Sequence, residues 1–218
     1  FMLFAAPPQA DLEWNDEAVE GANRFINRVW RKCTQYIDSV KNAADVFDYA
    51  SLDESKKKLV RKTHQTIKKV TNDIGVEQQF NTAVAALMEM FNVFNAAELD
   101  PAKDAPVIKF AVKSMVLLMA PMTPHFSEEL WEMLGNEESV FKAKWPVYDE
   151  ALTVEDSVEF VIQVNGKIRD KVKLELNAAQ EKAEAAAFAS DKVLEWTKGK
   201  ETVKKIFVPN KLLNIVVK

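Results

Sequence analysis

Sulfur, glycine and histidine are scarce in this chain, and each scarcity removes a class of chemistry. Cys33 stands alone among 218 residues, which excludes an internal disulfide and a multi-cysteine zinc site and fits a reducing, cytoplasmic setting. Its helical spacing from Ile26, Val29 and Trp30 makes it a buried helix residue rather than a nucleophile. Five glycines leave no glycine-rich phosphate loop, and two of them, Gly75 and Gly166, have the structural duties of a helix end and a turn. The two histidines, His64 and His125, lack partners at metal-ligand spacing, and no nucleophile has a base within reach of sequence argument. No run approaches the roughly 18 to 20 apolar residues of a membrane-crossing helix, and Phe1 to Ala6 lack the charged start of a signal peptide. That opening reads as a helix entered midway, so the sequence is expected to be a segment of a longer protein.

What is present is enough for one large or two small cores, since 48% of the residues are hydrophobic. Charge is uneven along the chain. Residues 1–150 carry 17 Lys+Arg against 23 Asp+Glu, a net of −6, whereas residues 151–218 carry 12 against 10, a net of +2. An acidic body argues against indiscriminate nucleic-acid binding, but local basic stripes on it can still orient one particular RNA.

The stretch Leu117 to Gly135, LLMAPMTPHFSEELWEMLG, organises the first two thirds of the chain. Before it, Val107 to Met119 is apolar almost all round, which predicts a helix buried inside a bundle. Pro121 and Pro124 must end that helix. A new one follows, with Thr123 as N-cap, Glu128 and Glu129 near its positive end, and Phe126, Leu130, Trp131 and Leu134 facing inward.

Three amphipathic helices precede this corner. Over Glu17 to Val40, Val19, Ala22, Ile26, Val29, Trp30, Cys33 and Ile37 share one side, and Arg24, Arg28, Arg31 and Gln35 fall nearly opposite. Over Asp53 to Ile74, with Gly75 as C-cap, Leu59, Val60, Thr63, Ile67, Val70 and Ile74 face in, while Lys57, Arg61, His64 and Lys68 face out. Over Glu77 to Ala97, Phe80, Val84, Leu87, Met88, Phe91 and Phe94 stand at core spacing. Leu12 and Trp14 are the expected anchors of the connector before the first of these helices. The arginine stripe has two readings, a solvated face or a phosphate-facing one suited to planar guanidinium donors that pair two oxygens at once. His64 likewise reads as an ordinary edge-of-face histidine or as an RNA contact.

From Asn136 to Ser157 the periodicity lapses into an acidic connector with Trp145 as its aromatic anchor, which makes 136–157 the expected linker. Beyond it, two alternating runs flank Asn165-Gly166. A three-residue loop with Gly166 in the left-handed region pairs Ile162 with Ile168 and Val158 with Val172. It leaves Lys167, Arg169, Lys171 and Lys173 as a ladder on the other face, with Glu159 facing Lys171 and Asp170 an inward misfit. An alanine-rich helix over Ala178 to Trp196, broken near Ser190-Asp191, precedes strands at Val203 to Val208 and Leu212 to Val217. Lys204 and Lys205 either extend the basic surface or guard an edge strand against aggregation.

Four stretches carry a family likeness. APMTPHFSEELW, within the proline corner, resembles the last helices of the anticodon-binding bundle of class I aminoacyl-tRNA synthetases for leucine, valine, isoleucine and methionine. LEWNDEAVEGANRFINRVWR (Leu12 to Arg31), VIQVNGKIRDK (161–171) and VPNKLLNIVV (208–217) resemble bacterial leucyl-tRNA synthetase, so the likeness runs over essentially the whole chain. A valyl or isoleucyl counterpart is disfavoured by the β-strand unit, where a coiled coil or cysteine-rich zinc module is expected.

The resemblance implies a mainly α fold with a small α+β domain: an anticodon-binding bundle over 1–135, a linker over 136–157 and a β-β-α-β-β tRNA-binding domain over 158–218. It implies tRNA of the leucine isoacceptors and the rest of the synthetase chain as partners, a cytoplasmic monomer, and no membrane. The parent enzyme attaches leucine to its tRNA with ATP and Mg²⁺. No cofactor is expected in this segment, from which the HIGH and KMSKS signatures are absent. The expected RNA contacts are Arg24, Arg28, Arg31, Lys57, Arg61 and Lys68 in the bundle and Lys167, Arg169, Lys171, Lys204 and Lys205 in the tail. A protein-docking module is the competing class.

Overall fold

Local chemistry sets where the helices begin and end in the computed structural model, which describes residues 1–154 and 157–218. The short α1 (Met2–Ala5) stops ahead of Pro7 and Pro8. Helix α2 (Asp16–Thr34) is capped by the Asn15 side chain, which accepts the Ala18 N–H at 3.0 Å. Asp16 and Glu17 in its first turn and Arg31 and Lys32 in its last oppose the helix dipole. Where one helix to Val40 was expected, the chain kinks at Gln35 and Tyr36 and resumes as α3 (Ile37–Val40). Leu12 and Trp14 do not anchor the connector in the core. Both are exposed, and Trp14 donates its indole N–H to Asp16 at 2.8 Å.

Helix α4 (Glu54–Asn72) starts at Asp53, whose side chain accepts the Lys56 N–H. Gly75 is not its C-cap: the helix widens into a π-turn over Asp73–Glu77, and Gln78, at φ 54°, supplies the left-handed reversal. Buried Asp73 holds that turn, accepting from Lys69 and from the Thr82 hydroxyl at 2.6 Å. Helix α5 (Phe80–Ala96) and helix α6 (Ala105–Met119) follow. Helix α6 is the buried axis expected from its sequence, with Val107, Ile108, Ala111, Val112 and Met115 to Met119 all in the core. After the proline elbow comes α7 (Pro124–Met133). Thr123 makes no side-chain cap there; its hydroxyl donates back to the Met119 carbonyl at 3.1 Å.

The expected linker is largely part of the bundle. The chain divides into two units, Phe1–Thr153 and Val154–Lys218, and 136–153 lies across the helices as a strap. Glu128 accepts from the Ser139 hydroxyl and the Val140 N–H at 3.0 and 3.1 Å, so this carboxylate fastens the strap rather than only answering the helix dipole. Val140 is buried, the Trp131 indole donates to the Glu138 carbonyl, and the Trp145 indole donates to Thr71 at 2.8 Å. Farther on, Asp149 N–H donates to His64 Nδ1 and Gln65 donates to the Thr153 carbonyl. Glu155 and Asp156, the end of that acidic stretch, lie outside the described residues.

The second unit is a four-stranded mixed sheet in the order β2-β1-β4-β3 with two helices on one face. Strand β1 (Ser157–Val164) pairs antiparallel with β2 (Lys167–Glu175). Helices α8 (Gln180–Phe188) and α9 (Asp191–Thr197) follow, broken where the sequence suggested. Strand β3 (Thr202–Val208) then turns back into β4 (Leu212–Val217), which runs parallel to β1. Phe160, Ile162, Val164, Leu213, Ile215 and Val217 meet Ala183, Ala187 and Val193 in the core.

The hairpin register differs from the expected one. Asn165 and Gly166, at φ 51° and 76°, form a two-residue turn with both residues left-handed, and the extra residue sits in β2 instead. Ile162 therefore faces Asp170 and Phe160 faces Val172. Such a turn matches strand twist better than a wider loop, and the bulge keeps Val172 and Leu174 facing the helices. Its cost is Ile168, left 59% exposed.

Candidate nucleic-acid interface

On the bundle, the face of α2 turned away from the core carries Arg24, Arg28 and Arg31, all exposed. Arg24 is held only by Glu20 at 3.4 Å, an i,i+4 pair with both side chains largely in solvent, which water and salt screen to little net worth. Arg31 donates its Nε to the Asn27 carbonyl. Arg28 lies 4.9 Å over the Phe91 ring of α5, which restrains its stem while leaving guanidinium edges available. One turn on, Lys32 lies 5.2 Å from both the Tyr36 and Phe94 rings. Sequence reading missed Lys32, although its i,i+4 spacing from Arg28 was the available signal.

The basic face of α4 is used differently. Lys57 pairs with Glu54, Arg61 donates to the Tyr49 hydroxyl at 3.3 Å, and Lys68 is paired with Glu150 of the strap and lies over Tyr148. The Glu150 carboxylate raises the Lys68 pKa by its hydrogen bond. His64, expected to face outward, is buried beneath the strap against the Phe110 ring, with centroids 5.0 Å apart. Burial lowers its pKa, and the nearby Asp149 charge opposes that shift without reversing it. Of what reads in sequence as an outward basic face, Arg61 and Lys68 here meet residues of two loops, while Lys57 pairs within α4.

In the second unit the sheet face opposite α8 and α9 is open. Its middle is apolar, with Val161, Ile206, Val208, Leu212 and Val216, and its edges are basic. Lys171 and Lys173 stand on β2 and Lys204 on β3, the two edge strands of the sheet. Lys171 pairs with exposed Glu159 at 2.8 Å, along the diagonal rather than directly across.

The expected ladder is incomplete. Lys167 shares the Val164 side of the sheet, at the hairpin tip. Arg169, as the bulge residue, turns aside to stack 3.3 Å over the Trp196 ring of α9. Lys205 points to the packed side, paired with Glu184 and lying over Phe188. Asp170, the inward misfit, accepts from Ser190 at 2.6 Å and from Lys192 at 3.3 Å. The Ser190 hydrogen bond foremost holds its carboxyl below the usual range.

Burial pushes the Cys33 thiol up to about 12, which disfavours the thiolate at neutral pH. Among the described residues no group of His, Cys, Asp and Glu lies together as a metal site requires, and no helix is long and apolar enough to cross a membrane. Two exposed basic surfaces remain, one in each unit.

Known proteins resemble this chain in sequence and in fold. Residues 56–185 match the family described as the anticodon-binding domain of tRNA ligase. The chain is 43% identical over its whole length to a leucine–tRNA ligase of Syntrophus aciditrophicus (strain SB), of which it covers 26%. It is 44% identical over its whole length to that of Geotalea daltonii, again covering 26%. Over 99% of its length it is 44% identical to that of Pseudomonas paraeruginosa, covering 24%. The chain thus spans about a quarter of the curated relatives it matches, in their C-terminal region. All of it superposes on 28% of the Agrobacterium radiobacter K84 agnB2 LeuRS chain, crystallised in a ternary complex with tRNA and LeuAMS, with a TM-score of 0.74 and 27% identity. With more than half of its residues inside the family match, the chain belongs to the anticodon-binding domain family of tRNA ligases.

Proposed function

We propose that the chain is the tRNA-positioning C-terminal portion of a leucyl-tRNA synthetase, acting with the rest of that enzyme on leucine isoacceptors in the cytoplasm, as a monomer. The observation that carries this reading is whole-chain identity of 43–44% to leucine–tRNA ligases. In the whole enzyme, leucine is attached to tRNA with ATP and Mg²⁺. Those groups belong to parts of the relatives beyond the matched quarter, and this sequence carries neither HIGH nor KMSKS.

The division of labour proposed for the basic residues follows their surroundings. Arg24, Arg28 and Arg31 meet phosphates along one side of the tRNA, with Lys167, Lys171 and Lys204 meeting it through the second unit. Lys57, Arg61, Lys68, Arg169 and Lys205 are engaged by neighbouring side chains of the fold and help to hold its elements in place. Labelled leucine-accepting tRNA titrated with the chain, in parallel with excess unrelated protein, tests this reading. Saturable binding competed by unlabelled tRNA is the expected result; no binding of tRNA alongside capture of a protein partner overturns it.

A further inference from the structure

The turn joining β1 and β2 holds the one Asn-Gly step in the sequence, Asn165-Gly166. Asn177 and Asn210 are also left-handed, at φ 60° and 58°, but are followed by Ala178 and Lys211. Only at Asn165 does the next residue lack a side chain to hinder its own nitrogen. That step allows a backbone closure. The Gly166 amide gives its proton to hydroxide, and its nitrogen attacks Cγ of Asn165. The Cγ–Nδ2 bond then breaks, and Nδ2 leaves as ammonia with a proton from water. The five-membered succinimide that remains is opened by water at either carbonyl, giving aspartate or isoaspartate with no oxidation or reduction.

Each group this closure needs is tied to β4. Asn165 Nδ2 donates to the Val217 carbonyl at 3.1 Å, and its Oδ1 accepts the Val217 N–H at 2.9 Å. The attacking nitrogen, Gly166 N–H, donates to Asn214 Oδ1 at 3.0 Å. The Asn165 N–H donates to the Ile215 carbonyl at 3.0 Å. Asn165 and Gly166 are both solvent-exposed, so water and hydroxide reach them, and what restrains the reaction is the grip of one strand.

We propose that Asn165 is a latent covalent modification site, closed to succinimide formation while Asn214 and Val217 hold the turn and converted to aspartate and isoaspartate when β4 releases it. The product places a carboxylate two residues from Lys167. As isoaspartate it also adds a methylene to a two-residue turn on which the hairpin register depends. Where the proposed RNA role holds, this change weakens the second unit's grip on phosphate.

Incubation at mildly alkaline pH, followed by peptide mass mapping that separates aspartate from isoaspartate, tests the idea. Wild type, Asn214→Ala, Asn214→Asp and the urea-unfolded chain are compared. Wild type is expected to react at least about tenfold more slowly than the unfolded chain, because reaction needs local opening. Asn214→Ala, folded by circular dichroism, is expected to react several-fold faster than wild type, and Asn214→Asp, which keeps an acceptor oxygen, close to wild type. Wild type reacting at the unfolded rate, or folded Asn214→Ala no faster than wild type, overturns the proposal. Should Asn214→Ala fail to fold, Gly166 amide exchange in wild type decides: strong protection supports it, and exchange at the free-peptide rate overturns it. None of these readouts involves RNA, so the proposal and the functional reading fail separately.

Discussion

His64 Nδ1 accepts the backbone N–H of Asp149 at 3.1 Å, joining the middle of α4 to a residue 85 positions later. An Nδ1 that accepts must be unprotonated, so the bond exists only for the neutral ring. Burial lowers the folded pKa below 6.5, while the unfolded ring keeps its ordinary value. The unfolded state therefore binds more protons in the window beneath 6.5. Stability from this group is complete above that value and is lost as pH falls through the folded pKa. Thermal melts between pH 7.5 and 5 are expected to show a falling midpoint in wild type and a flatter profile in His64→Gln.

Leu118 is fully buried in the last turn of α6. Replacing it with Ala is expected to cost about 2–5 kcal/mol, from the forfeited transfer energy and the cavity left behind, read as a lower urea midpoint with an unchanged slope. Phe141, exposed on the strap, provides the contrast: Phe141→Ala is expected to shift stability by no more than about 0.5 kcal/mol.

Asp170 ties the β2 bulge to Ser190, the N-cap residue of α9. Asp170→Ala is expected to lower the melting midpoint of the second unit and to loosen the surroundings of Trp196, because Arg169 stacks on that indole from the neighbouring position. Asp170→Asn retains an acceptor for Ser190 and is expected to lie between wild type and Asp170→Ala. Tryptophan fluorescence during urea titration reads the difference.

The helices were legible in the sequence where one face carried the period, as in α4, or where apolar residues ran almost all round, as in α6. In α2 the inward stripe was placed slightly off its axis: Phe25, Val29 and Cys33 are the buried line, and Phe25 meets Phe91 edge-on at 5.9 Å. The strap has no period to read. It is fastened by single hydrogen bonds from Trp145, Asp149 and Gln65 to partners far away in sequence, so its charge and Pro146 suggested a linker. Arg61 and Lys68 meet residues of two loops in the same way: charge pattern on one helix does not reveal which loop will cross it. In the second unit a single bulge residue decided which of Arg169 and Asp170 turned inward, and alternation alone does not locate a bulge.

Arg28→Ala separates two roles on α2. Removing the guanidinium from the Phe91 ring is expected to cost about 0.5–1 kcal/mol of stability, whereas Arg24→Ala, at a position 68% exposed, is expected to leave the melt unchanged. Both are expected to weaken tRNA binding. Melting and binding measured on the same two variants distinguish packing from phosphate recognition.

The central claim is that exposed cations on two separate faces meet phosphates of one RNA, and the salt dependence of tRNA affinity addresses it most directly. For wild type, the logarithm of the association constant is expected to fall linearly with the logarithm of salt concentration. Combined replacement of Arg24, Arg28 and Arg31 by Gln is expected to flatten that slope by roughly 0.7 to 0.9 for each phosphate no longer neutralised, as is replacement of Lys167, Lys171 and Lys204. A wild-type affinity indifferent to salt, or slopes unmoved by both sets of changes in folded protein, contradicts the account.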